Sequence, residues 1–279
     1  MGSADIIPGV SGGTIALVLG IYRKLIDSLK SFNPQILLQL IKFDIASFKE
    51  GVKKIRLDFL LPLFSGVVLA ILLGSKLIHI ALNRFPGPTY SFFSGLIIAS
   101  ALMIFNRYQR NVGAFMTMIA GILIGFFLAG LSSFALTHQL YFIFISGAVA
   151  VCAMILPGVS GAFLLLLLGQ YEYMLGLLHQ PFSSIHIIGV FILGAVFGLV
   201  SFTRIISYFM DNYEKETLGF LVGLMAGSLR RPIGLIIEGT SLNGPTLIQN
   251  FSTLFFTILF GILGILLVYL LNGSFQDRI

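Results

Sequence analysis

Tryptophan is absent from this 279-residue chain, cysteine occurs once, at Cys152, and only 10% of the residues are charged. A single thiol excludes an internal disulfide and a thiolate metal cluster, which leaves Cys152 the role of a small packed side chain. Without tryptophan, Tyr and Phe must supply any aromatic belt at a membrane surface. The four histidines, His79, His138, His179 and His186, show no metal-ligand spacing. Nucleophile elbows, Walker loops and His-Glu-x-x-His helices are missing too. The sequence thus offers no catalytic residues, no metal ligands and no cofactor motif. Nor does it open on a cleavable signal peptide pattern.

What is present is apolar. Hydrophobic residues make up 57% of the chain, and the mean hydropathy of +1.01 exceeds what a water-soluble domain of this size sustains. The runs are long and unbroken, as helical spans of about 20 residues require, rather than alternating like barrel strands. Full spans are expected at about Asp58 to Leu82, Thr89 to Asn106, Val112 to Leu136, Ile185 to Phe209, Thr217 to Arg231 or a little beyond, and Thr246 to Leu271. Pro86-Gly87-Pro88, Arg107 to Asn111, Asp211 to Glu216 and Asn243-Gly244-Pro245 punctuate them.

The net charge of +6 is unevenly placed, with eight of the 17 basic residues between Arg23 and Arg56. By the positive-inside rule this stretch and the C-terminus are cytoplasmic. Within it, Leu37, Leu40, Ile41, Ile45, Phe48, Val52 and Ile55 recur at helical spacing, so segment 34–56 reads as an amphipathic helix on anionic membrane lipids. The basic residues flank an apolar stripe rather than base-reading groups, which argues against nucleic acid.

Pro-Gly-Val-Ser-Gly occurs at Pro8 to Gly12 and again 149 residues later at Pro157 to Gly161. Over the 22 positions from Pro8 to Leu29 the two stretches share 10 identities, including Leu19-Gly20 with Leu168-Gly169 and Tyr22 with Tyr171. At an offset of 128, Phe64 to Ser100 matches Ile192 to Ser228 without gaps, with eight identities. The order of the matches predicts an all-α polytopic membrane protein of two repeats, 1–136 and 137–279, each a re-entrant helical hairpin followed by three transmembrane helices. An odd number of crossings turns the second copy upside down, giving inverted topology. The first hairpin then opens inward and the second outward; Arg107 and Arg110 fall inside, and Arg230 and Arg231 near the outer face. Seven residues precede the first break, against about 17 apolar ones before the second. The sequence is therefore expected to begin within the first hairpin or to have a short descending arm.

Proline removes an amide donor and glycine tolerates unusual backbone, so each motif should unwind the chain at membrane depth. Ser11 and Ser160 are placed to cap the helices Gly12 to Leu29 and Gly161 to Leu178, and are themselves candidates for substrate binding. Free amides at Gly9, Gly12, Gly13 and Thr14, and at Gly158 and Gly161, would then point at an anion. A Pro/Gly kink with close helix packing is the competing reading. Lys76 and Arg204 occupy equivalent positions at the 128 offset, as substrate contacts or as snorkelling side chains. Arg230 and Arg231 are candidates for an anionic headgroup, or interfacial anchors. Asp5 and Glu172, the acids beside the two motifs, are candidates for proton coupling.

The run Ala4-Asp5-Ile6-Ile7-Pro8-Gly9-Val10-Ser11-Gly12-Gly13-Thr14, then Leu19-Gly20-Ile21-Tyr22 and Gly223 to Arg231, closely resembles the signature of a bacterial membrane family known as domain of unknown function 368. The resemblance covers essentially the whole chain. It implies an undecaprenyl phosphate translocase of the bacterial plasma membrane, returning the lipid carrier of cell-wall and peptidoglycan synthesis from the outer to the inner leaflet. Members of that family usually carry a further apolar segment ahead of the first motif. The residues by themselves leave two alternatives: a transporter of a small water-soluble anion and, with less support, a membrane-embedded lipid-phosphate enzyme. They set no oligomeric state and admit a homo-oligomer.

Overall fold

In the computed structural model the described residues are 1–5, 11–32, 44, 53–108, 111–133, 136–177, 184–241 and 247–276, and every regular element among them is a helix. The first half runs α1 (Gly2–Asp5), α2 (Gly12–Val18), α3 (Tyr22–Lys30), α4 (Leu57–Arg84), α5 (Pro86–Tyr108) and α6 (Val112–Ala129). The second runs α7 (Leu140–Ile155), α8 (Gly161–Leu167), α9 (Tyr171–Leu177), α10 (Ile185–Asn212), α11 (Glu214–Ser228), α12 (Arg230–Ser241) and α13 (Leu247–Gln276). Six helices are long and apolar enough to cross a membrane. Leu72, Leu73 and Leu270 on their outward faces are 69%, 77% and 71% exposed, which water would not tolerate on this scale and lipid does. This is a multi-pass membrane protein. Most of the basic amphipathic segment expected at 34–56 lies outside the described residues.

Two expected breaks prove narrower than the punctuation implies. Pro86 opens α5 rather than a loop, because a proline in the first helical turn gives up an amide that has no partner there anyway. Only Phe85 interrupts the helical path, as Tyr213 alone does between α10 and α11, where Glu214 and Glu216 favour a helix start. Conversely, α6 stops at Ala129, short of the expected Leu136. Residues 130–133 are irregular, and the Leu136 amide donates to the Leu168 carbonyl at 3.1 Å.

That bond joins the two ends of a hairpin. With 16 residues, α7 is about 24 Å long, less than the roughly 30 Å hydrocarbon core. The chain then reverses: a Cβ on Gly161 would lie 2.5 Å from the Ala150 carbonyl oxygen, so α8 folds back along α7. The buried Gln170 secures the mouth, donating to the carbonyls of Leu136 (3.1 Å) and Thr137 (3.4 Å) while its Oε1 pairs with His138 Nδ1 at 3.1 Å.

The core lies where the halves interlock. Half of the most apolar stretch is buried in Pro86–Asn106 and in Glu214–Ile237, against 6% in α4, so α5 and α11 are the central helices. α6 packs along α11 and α13 along α5. Both seams are lined by glycine: a Cβ on Gly125 would come 2.6 Å from the Leu224 carbonyl oxygen, and one on Gly264 of α13 would come closer still to the Phe92 carbonyl oxygen. Backbone approach of this kind is how helices gain dispersion energy in a solvent as apolar as themselves. Tyr22, Ile26, Ile97, Leu221 and Met225 are at most 1% exposed and form the centre of the packing.

Candidate functional site at the two chain breaks

Pro8, Gly9 and Val10 lie outside the described residues, and the first break is described from Ser11. Ser11 is extended (φ −123°, ψ 149°), and its Oγ accepts the Thr14 amide at 3.2 Å, capping α2. The Gly12 amide donates to Asp5 Oδ1 at 2.6 Å. At the second break Ser160 (φ −96°, ψ 129°) caps α8 by accepting the Phe163 amide at 3.5 Å.

Neither cap starts a long helix. α2 and α8 are seven residues each, and both end in a glycine of positive φ, Gly20 at 68° and Gly169 at 67°. Ile21 N donates to Ala16 O and Gln170 N to Leu165 O, both at 2.9 Å, while Gly20 N and Gly169 N bond Leu17 O and Leu166 O. These are paired Schellman endings. The repeated Leu-Gly-x-Tyr announces them in the sequence: with no Cβ, glycine enters the left-handed region that ends a helix.

The two breaks touch. The Gly158 amide donates to Thr14 Oγ1 at 2.8 Å and to Ser11 Oγ at 3.2 Å, and the Ser11 hydroxyl donates to the Leu156 carbonyl at 3.2 Å. Gly13 permits the approach, since a Cβ there would stand 2.6 Å from the Ile155 carbonyl oxygen. Ser11 and Thr14 are at most 1% exposed. In this conformation the amides of Gly12, Thr14 and Gly158, expected to be free for an anion, are bound to protein.

The second break is open where the first is closed. Gly158, Val159 and Ser160 line a narrow pocket with Phe163, Ser228 and Arg231. Phe163 and Arg231 also line an adjoining cleft of about 610 Å³, bounded by Leu131, Ser132, Ser133, Leu166, Leu167, Tyr171 and Glu172. Arg231 lies over the Phe163 ring at 5.9 Å, and its charge reaches Tyr90. Among the described residues no hydrogen bond or ion pair engages its guanidinium. Arg230 is occupied: Nη1 donates to the Phe126 carbonyl at 3.0 Å, and its guanidinium sits 4.3 Å from that ring. The two adjacent arginines therefore differ in availability.

Lys76 and Arg204 stand exposed on α4 and α10, and no hydrogen bond, ion pair or ring contact links either to the breaks among the described residues. Glu172 and Arg231 share the cleft. Asp5 is at the closed break. Phe163, Ser132, Ser133, Tyr171 and Ser228 are lining residues beyond the candidates the sequence offered; Tyr171 and Ser228 carried a signal, their identity with Tyr22 and Ser100. Among the described residues no group of three or more His, Cys, Asp or Glu side chains is arranged to hold a metal ion.

A second polar cluster runs along α3, from Arg23 in its first turn to Lys30 in its last. Arg23 bonds Asp211 at 2.8 Å, the Met210 carbonyl at 3.3 Å and Glu214 at 3.6 Å, and Lys30 reaches Ser207 at 2.7 Å and Asp211 at 3.7 Å. These side chains are about half exposed, where an ion pair contributes about 0–1 kcal/mol. Such contacts are easily exchanged.

A family model described as undecaprenyl phosphate translocase-like matches residues 1–240, which takes in both breaks and both arginines. The chain belongs to the undecaprenyl phosphate translocase-like family. Relatives within reach of direct alignment include a polyprenyl-phosphate transporter of Vibrio cholerae, 40% identical over 231 residues (82% of this chain, 73% of the relative). A polyprenyl-phosphate transporter of Staphylococcus aureus is 32% identical over 246 residues, covering 82% of this chain and 81% of its own. No solved structure matches the chain. Both relatives are named as transporters, in keeping with a chain whose sequence offers no catalytic machinery.

Proposed function

We propose that this protein moves undecaprenyl phosphate across the bacterial plasma membrane, from the outer to the inner leaflet, with the phosphate received at Arg231 and Ser160. The observation that carries this reading is the cleft. It sets the Arg231 guanidinium, which has no hydrogen bond or ion pair among the described residues, against a wall of Leu131, Phe163, Leu166 and Leu167, and the narrow pocket that shares Phe163 and Arg231 with it adds the capping hydroxyl of Ser160. An arginine suits a phosphate because its planar fork matches the oxygens, and the apolar wall suits the first units of a prenyl chain. A small water-soluble anion has no use for that wall. The seven-residue α8 is too short for its dipole to be the main attraction, so the charge comes from the side chain.

The two halves are read as inverted repeats, supported by the matching breaks, the twin Schellman endings and the equivalence of α4 with α10. Those two helices begin and end 128 residues apart, and their C-cap residues share one backbone conformation, Phe85 at φ −138°, ψ 57° and Tyr213 at φ −139°, ψ 52°. With the basic stretch 23–56 cytoplasmic, the cleft faces outward and the contact between the breaks closes the inner side. This is the arrangement for capture from the outer leaflet. Carrying a phosphate inward against 100 mV, inside negative, costs about 2.3 kcal/mol per charge, and a proton taken up at Asp5 or Glu172 offsets it.

The test is leaflet-resolved translocation of labelled undecaprenyl phosphate in proteoliposomes, run beside uptake of inorganic phosphate. Lipid translocation that falls at least tenfold in Arg231→Gln, with no phosphate uptake by either protein, supports the reading. Uptake of inorganic phosphate, or an unchanged lipid rate in Arg231→Gln, overturns it.

A further inference from the structure

The two halves share the order of their helices after each break and differ in how one pair of equivalent helices docks. α3 and α9 are equivalent: each begins two residues after its positive-φ glycine, at Tyr22 and Tyr171. Their docking surfaces are equivalent as well, the C-terminal ends of α10 and α4. α3 packs against α10, pinned by Arg23 to Asp211, Glu214 and the Met210 carbonyl. Among the described residues α9 has no packing against α4 to compare with it. It borders the open cleft instead, through Tyr171 and Glu172.

Glu172 is the residue at the position of Arg23. The stretch of α10 and α11 that Arg23 grips, 210–214, corresponds to 82–86 at the end of α4. That stretch holds Arg84, which is exposed and has no ion pair among the described residues. The charges are thus interchanged: cation on the hairpin and acids on the span in one half, acid on the hairpin and cation on the span in the other. Asn83, at the place of Asp211, is neutral and turned to His79 at 2.9 Å, so it does not compete for Glu172.

From this we infer that Glu172 and Arg84 form a second lock, the charge-reversed twin of Arg23–Asp211, made when α9 swings onto the end of α4 and shuts the cleft. One lock is engaged at a time, and the structure holds the state with the Arg23 lock made and the Glu172 lock open. Arg23 and Asp211 are about half exposed, and Glu172 and Arg84 are exposed, so each lock contributes little to stability and the conformations can interchange. The inference rests on the inverted-repeat reading given above.

The experiment replaces Cys152 by alanine and installs cysteine pairs Glu172→Cys with Arg84→Cys, or Arg23→Cys with Asp211→Cys, in the full chain in proteoliposomes. A separate Ser132→Cys reports cleft access to a membrane-impermeant maleimide. Both pairs are expected to cross-link under mild oxidant. Cross-linking the 172–84 pair should reduce labelling of position 132 at least tenfold, and cross-linking the 23–211 pair should leave it unchanged. Without oxidation, exchanging the charges (Glu172→Arg with Arg84→Glu) should restore transport that either single change lowers. A 23–211 cross-link without a 172–84 cross-link overturns the lock, as does a 172–84 cross-link that leaves labelling intact. Labelling needs no substrate, so a lock that operates in a protein unable to move undecaprenyl phosphate would stand while the proposed function fell.

Discussion

Thr14 Oγ1 accepts the amide of Gly158 at 2.8 Å, across 144 residues of chain, and so ties the first break to the second. The same amide lies 3.2 Å from Ser11 Oγ, and the two hydroxyls are 3.1 Å apart. A buried amide with two acceptors loses little when one is removed and a full desolvation penalty when both go.

Thr14→Val is therefore expected to destabilise the protein by about 1 kcal/mol, the usual net value of one hydrogen bond. Thr14→Val combined with Ser11→Ala leaves the amide unpaired and should cost about 2–4 kcal/mol, more than the sum of the single changes. Thermal unfolding in detergent, followed by helical circular dichroism, measures this. Strict additivity would mean that the hydroxyls do not share the Gly158 amide.

Glycines with the same sign of φ should respond differently to alanine. Gly158 (φ 83°) is wedged so that a Cβ would lie 2.8 Å from the Met225 Cα, whereas Gly20 (φ 68°) has open space around it. Gly20→Ala bears only the left-handed strain of about 1–2 kcal/mol. Gly158→Ala adds overpacking against α11, typically about 1–3 kcal/mol more. The yield of monodisperse protein after detergent extraction should rank wild type, Gly20→Ala, Gly158→Ala, with the last reduced severalfold.

The helices were legible because a span declares itself by an apolar run, and the six runs lie within a few residues of the helices found, apart from the short end of α6. The breaks were legible because Pro157 and the repeated glycines have few uses inside an apolar segment. The contact between the breaks was not: Thr14 to Gly158 depends on how two hairpins dock, and neither residue carries a mark of its partner. The difference between Arg230 and Arg231 was equally hidden. Both follow the turn at Leu229, and only the position of the Phe126 carbonyl decides which guanidinium is occupied.

That difference predicts opposite phenotypes for neighbouring substitutions. Arg230→Gln removes a hydrogen bond and a ring contact, so it should lower stability by about 1 kcal/mol and leave the translocation rate within about a factor of two. Arg231→Gln should leave the melting temperature within about 2 °C, since a change under about 0.5 kcal/mol moves it no further in a chain of this size, and lower the rate at least tenfold. Measuring both quantities on both variants separates a structural arginine from a substrate-binding one. Equal losses of rate would assign the headgroup to the pair rather than to Arg231.

Asp5 offers the sharpest test of proton coupling, because its acceptor role and its charge separate. Asparagine at this position keeps a side-chain oxygen for the Gly12 amide, now held at 2.6 Å, but cannot bind or release a proton. Asp5→Asn is expected to fold with a melting temperature close to wild type, since the capping geometry survives. If Asp5 carries the proton, the variant loses the acceleration that an inward-directed proton gradient gives the wild type while its rate without a gradient persists. Translocation measured with and without an imposed pH step, at clamped membrane potential, reads this directly. A full response to the gradient in Asp5→Asn, together with its loss in Glu172→Gln, would move the proton to the cleft and leave Asp5 as the residue that holds the first break closed.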